Sequence, residues 1–78
     1  NLTPKQRKVV KILKAGGLMY MYLKPRRKHT YYRVLDSNYS PVLTINYRTF
    51  SCLRRKECIA KHSEKSYFII NNNIYKTN

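Results

Sequence analysis

The sequence predicts an α+β domain of two helices and two β-hairpins in the order α-β-β-α-β-β. Three observations support it. Leu2-Thr3-Pro4-Lys5-Gln6 is a helix-start signal that precedes an apolar helical stripe. Asn46 stands where a second helix would be capped, with Phe50, Leu53 and Glu57 recurring after it at helical spacing. Each helix is followed by a pair of β-rich runs around a polar connection.

In the first helix Thr3 is the expected N-cap, Pro4 the first helical residue, and Gln6 the partner that completes a capping box. A turn of 100° per residue gathers Val9, Val10, Ile12 and Leu13 on one side. Arg7, Lys11 and Lys14 fall opposite, flanked by Lys5 and Lys8. Gly16-Gly17 ends the helix, because glycine adopts the left-handed terminal conformation without steric cost.

The first hairpin is expected from strands at 18–23 and 30–35, joined by the basic loop 24–29. Alternation puts Leu18, Tyr20 and Tyr22 on one face and Met19, Met21 and Leu23 on the other, and either face is apolar enough to meet a core. Asp36-Ser37-Asn38 reads as a turn, and Ser40-Pro41 opens a short extended connector at 42–45. The second helix ends near Lys56 or Glu57. Runs 59–62 and 66–70 then form the second hairpin around Ser63-Glu64-Lys65. One domain is expected over 1–70, with 71–78 a tail that frays or extends a strand.

At 78 residues, folding buries only roughly 60–65% of the unfolded chain's surface, too little for a large catalytic cleft. Seventeen Lys and Arg against three acidic residues give a net charge of +14, a self-repulsion that a polyanionic partner relieves. Eight tyrosines and two phenylalanines within a 42% hydrophobic chain still supply a core. Asp36, Glu57 and Glu64 are scattered, and no Gly-rich phosphate loop is present, so no enzyme is expected. Cys58-x3-His62 is the one short spacing of soft ligands, without a paired Cys-x2-Cys, so no metal or other cofactor is expected.

Cys52 and Cys58 are six positions apart, about 9 Å along a continuous helix and beyond disulfide reach, so both read as free thiols. With no signal-peptide pattern and no apolar run approaching about 18 residues, the expected setting is a reducing cytoplasm, or a nucleus, away from membrane.

Two patterns, LTPKQRKVVKILKAGG and YYRVLDSNYSPVLTINYRTFSCLRRKECI, resemble small bacterial and phage proteins of the winged helix-turn-helix type. They span about positions 2 to 59. The resemblance implies a compact winged-helix-like domain with a nucleic-acid or regulatory role. Glu57-Cys58 stands where those proteins usually carry a glycine between helix and wing.

On the second helix, Tyr47, Arg48, Ser51 and Arg55 form the expected base-contact arc, since arginine matches guanine O6 and N7 in the major groove. Lys24, Arg26, Arg27, Lys28, Arg54, Lys56, Lys61 and Lys65 are the expected phosphate contacts. The same charges would also serve a solvated face that keeps the chain soluble. Tyr20, Tyr22, Tyr31 and Tyr32 interleave with cations, as in single-strand binders, or are strand residues with buried rings. The expected function is a basic DNA-binding regulator or accessory factor, DNA favoured over RNA. The alternatives are a phage or mobile-element inhibitor or adaptor docking an acidic protein, and an RNA or single-strand component.

Overall fold

The computed structural model describes residues 2–23, 30–62 and 66–75. The expected capping box closes at the start of helix α1 (Pro4–Lys14). Thr3 Oγ1 accepts from the Gln6 N–H at 3.2 Å, and Gln6 Oε1 accepts from the Thr3 N–H at 3.1 Å. At the other end the N–H groups of Gly16 and Gly17 donate to the Leu13 and Ile12 carbonyls, both at 3.1 Å. This is a Schellman termination, and Gly16 supplies its left-handed residue at φ 105°. Gly17 is required for a different reason. A Cβ there would lie 2.9 Å from the Ile12 carbonyl oxygen and press on that of Leu35.

Strands β1 (Leu18–Leu23) and β2 (Thr30–Leu35) pair antiparallel, Leu18 opposite Leu35 and Leu23 opposite Thr30. After β2, Asp36 Oδ1 accepts from the N–H groups of Asn38 and Ser40 at 2.9 and 3.0 Å, which makes the expected turn. The chain then enters β3 (Pro41–Asn46), paired with β2 from Leu35 to Tyr31. This corrects the expected element order. The piece at 42–45 is part of a full strand, and the order is α-β-β-β-α-β-β. A strand that begins with proline at a sheet edge looks like a connector in sequence, because an edge tolerates the missing N–H.

Asn46 closes β3 and caps α2 (Tyr47–Arg55), its Oδ1 accepting from the Thr49 N–H at 2.9 Å. Helix α2 ends as α1 does. The N–H groups of Glu57 and Cys58 donate to the Arg54 and Leu53 carbonyls at 3.0 and 2.9 Å. Here the left-handed residue is Glu57 itself, at φ 58°. The Asn71 side-chain amide donates to its carbonyl at 2.8 Å and helps hold that conformation.

Strands β4 (Ile59–Lys61) and β5 (Tyr67–Ile70) form the second hairpin. Strand β5 also pairs with β1, through Met19 opposite Phe68 and Tyr20 opposite Tyr67. Both hairpins therefore belong to one five-stranded antiparallel sheet, in the order β3-β2-β1-β5-β4. Four inter-strand gaps separate its edges, roughly 19 Å. Helix α2, at nine residues and roughly 13.5 Å, carries the chain most of the way from one edge to the other.

One face of the sheet carries the core. Met19, Tyr32, Val34, Ile45, Ile59 and Ile70 meet Val9, Val10 and Leu13 of α1 and Phe50 and Leu53 of α2. Helix α1 lies over β1, β2 and β5, and α2 over β2, β3 and β4. Met19 is thus the inward residue of β1, and Leu18, Tyr20 and Tyr22 point away from both helices. The segment after β5, expected as a tail, is tied down over 71–75. The Asn71 N–H donates to the Cys58 carbonyl at 3.0 Å, and Tyr75 packs on the core with its hydroxyl donating to Cys58 Sγ at 3.3 Å.

The two helix ends make opposite predictions. Glu57→Gly relieves a left-handed side chain and should stabilise by about 0.5–1 kcal/mol, net of glycine's larger unfolded-state entropy. Gly17→Ala should destabilise, because its Cβ meets backbone that cannot swing aside. Urea-unfolding midpoints moving in opposite directions are the expected result.

Candidate nucleic-acid interface

Helix α2 is amphipathic because its nine residues place only Phe50 and Leu53 on the sheet, 7% and 0% exposed. Arg48 and Arg55, seven positions apart and almost two full turns, project together from the opposite side and are exposed. Ser51 is half-buried, and Tyr47 is 58% exposed with its ring 6.1 Å from that of Phe50. The expected arc of Tyr47, Arg48, Ser51 and Arg55 therefore divides. Its arginines face outward, whereas Tyr47 and Ser51 turn toward a cleft beside the helix.

That cleft has a volume of about 490 Å³. Its floor is aromatic: Tyr32 stacks on Phe50 at 3.7 Å and 5° between planes, and Phe68 meets Phe50 edge-on at 4.9 Å and 73°. One wall is α2, with Tyr47, Ser51 and Arg54, and the facing wall is the second hairpin, with Lys61 and Ser66. The Arg54 guanidinium lies 5.2 Å over the Phe68 ring, so its charge is oriented by a cation–π contact. Arg54 and Lys61 face a common space from different elements, and among the described residues no carboxylate lines it. Burial raises the Tyr32 hydroxyl above its ordinary pKa of 10.0, reinforced by Tyr47 and opposed by Arg54, so the floor stays neutral at physiological pH.

Of the other expected phosphate contacts, Lys56 is exposed at the C-cap of α2. Lys24, Arg26, Arg27, Lys28 and Lys65 lie outside the described residues. The exposed Lys5, Arg7, Lys8, Lys11 and Lys14 of α1 add to the charge of the helical layer. Sequence reasoning gave these no part in a site, and only the placement of α1 and α2 on one side of the sheet joins them to the α2 cations. Met21, Ser66 and Phe68 were also missed in the cleft, because β1 and β5 meet only through long-range pairing. Of the four tyrosines grouped in the sequence, Tyr32 is buried under α2, while Tyr20, Tyr22 and Tyr31 are half-buried on the uncovered side of the sheet.

Both cysteines are free thiols. Cys58 is buried and accepts the Tyr75 hydroxyl, a bond that together with burial raises the Tyr75 pKa. Among the described residues no three His, Cys, Asp or Glu side chains gather as metal ligands, and no helix is long and apolar enough to cross a membrane. Comparison of the chain with family models, with curated proteins and with solved structures finds no match.

The tyrosine shifts set the alkaline behaviour. The folded chain holds the Tyr32 and Tyr75 protons more tightly than the unfolded chain, so their stabilisation is complete below the ordinary pKa of 10.0 and declines as pH rises through the raised folded values. Tyr32→Phe and Tyr75→Phe should each flatten the fall in stability above pH 10, read by circular-dichroism melts across that range. An unchanged slope in both variants would contradict the assignment.

Proposed function

We propose that the protein is a non-enzymatic nucleic-acid-binding regulator or accessory factor that engages duplex DNA through α2. The observation that supports this most directly is the pair Arg48 and Arg55, exposed in register on the outward side of a helix whose other side is anchored by Phe50 and Leu53. A major groove admits one helix, and arginines projecting from it reach guanine O6 and N7. Arg54, Lys56 and Lys61 sit beside that line and serve the phosphates, which fix register without reading sequence. The cations of α1, on the same layer, extend the electrostatic footprint.

A cationic helix followed directly by a hairpin is the functional half of a winged helix. In this chain the hairpin β4–β5 would act as the wing, with Lys61 at its described end and Lys65 in the connection. The basic loop holding Lys24, Arg26, Arg27 and Lys28 supplies further phosphate contacts in the same proposal. A net charge of +14 favours association with any polyanion, and the salt dependence identifies the phosphate share.

Arg48→Ala and Arg55→Ala should each flatten preference among duplex sequences by about 1–3 kcal/mol at one base position. Arg54→Ala, Lys56→Ala and Lys61→Ala should weaken all duplexes alike, each lowering the log–log salt slope by about 0.9. Fluorescence-anisotropy titrations over a salt series separate the classes. Duplex affinity independent of salt, or complexes from lysate that survive nuclease treatment unchanged, would replace DNA with an acidic protein as the partner.

A further inference from the structure

The side of the sheet away from the helices has a composition that the duplex reading leaves unused. In an antiparallel sheet with one solvated face, outward positions are ordinarily polar. Here they are largely aromatic and aliphatic. Pairing puts Tyr20 of β1 between Arg33 of β2 and Tyr67 of β5, while Tyr22 lies opposite Tyr31. Leu18, Leu35 and Ile69 continue the same face, and all of these side chains are half-buried, with the His62 ring 5.2 Å from that of Tyr67.

We propose that this face is a stacking platform for single-stranded nucleic acid, with Tyr20 and Tyr67 as the central base-contacting rings. The two rings stand on paired strands at the middle of the sheet, and Tyr22 follows Tyr20 by two residues, roughly 6.8 Å along β1. Such spacing sets a second planar surface beside Tyr20, the Tyr22 ring with the Arg33 guanidinium over it. Stacking is indifferent to base identity because every base presents a π face. Paired bases in a duplex present only their edges, so the platform selects for unpaired strands.

Charge supports the same occupant. Arg33 sits at the centre of the face with its guanidinium 4.3 Å over the Tyr22 ring, an arrangement that fixes a cation beside the stacking surface. Of the described carboxylates, Asp36 is engaged in its own turn, and Glu57 lies at the end of α2 in the other layer. No acid therefore opposes a phosphate chain on this side among the described residues. A second copy is a poor occupant, since each chain carries +14 and the two would repel. Among the described residues an acidic protein would find more fixed cations on the helical layer and has no bases to stack on the rings of this one.

The site is separate from α2, so its failure and that of the duplex reading are distinguishable. The chain contains no tryptophan, which makes intrinsic fluorescence a direct report on its tyrosines. Titration with short oligothymidylate at low salt should quench that fluorescence and raise the anisotropy of a labelled strand. Tyr20→Leu and Tyr67→Leu should each weaken single-strand binding about tenfold, while the phenylalanine variants at both positions stay within about twofold of the parent. Duplex affinity should be unchanged in all four, whereas Arg48→Ala should alter duplex binding alone. Leucine keeps apolar bulk and phenylalanine keeps the ring, so melting temperatures near the parent value certify the fold. Absence of oligothymidylate binding by the parent, equal affinity in the leucine variants, or a dimer in light scattering that Tyr20→Leu dissociates would overturn the platform.

Discussion

Phe50 is the contact on which the arrangement of α2 depends. Its ring is stacked on Tyr32 of β2 and met edge-on by Phe68 of β5, so one helical side chain touches strands from both halves of the sheet. Helix α2 has only one other fully inward residue, Leu53, and a helix of nine residues has little intrinsic stability in water. The aromatic clamp supplies the tertiary packing that a short helix lacks. It also sets the rotation of the helix, and through that rotation it decides that Arg48 and Arg55 point outward while Tyr47, Ser51 and Arg54 border the cleft.

Both helices end in the same way, but the chemistry at the two left-handed positions differs. Gly16 adopts its conformation without cost, whereas Glu57 is strained and is held by the Schellman bonds and by the Asn71 amide. Asn71 follows β5, so the exit of α2 is braced by the segment that closes the sheet. Anchoring of Asn71 and Tyr75 on Cys58 and Glu57 explains why the first part of the apparent tail belongs to the folded unit.

Charge and aromatic surface are segregated by the single-layer packing of the helices. The exposed cations of α1 and α2 share one side, and Tyr20, Tyr22, Tyr31 and Tyr67 share the other around Arg33. A polyanion approaching the helical layer meets fixed charge. An unpaired strand approaching the sheet meets rings. The two proposals thus assign the two surfaces nucleic acid in different states.

Local features were legible in the sequence. Thr3, Pro4 and Gln6 announced α1, Asn46 announced α2 and Asp36 marked its turn, because each rests on bonds among residues a few positions apart, and the strand pair 18–23 and 30–35 was bounded by its runs of β-favouring residues. The third strand was not legible, since an edge strand opening on Pro41 carries no local signature that distinguishes it from a connector. Nor was the inward face of β1, whose residues are apolar on both sides. That choice was made by β5 pairing Phe68 against Met19, and by two helices covering only one face. The sequence by itself determined where helices start and stop and that the chain is strongly cationic. The tertiary structure alone decided which cations stand together and which tyrosines remain outside the core, because burial and strand register are properties of partners distant in the chain.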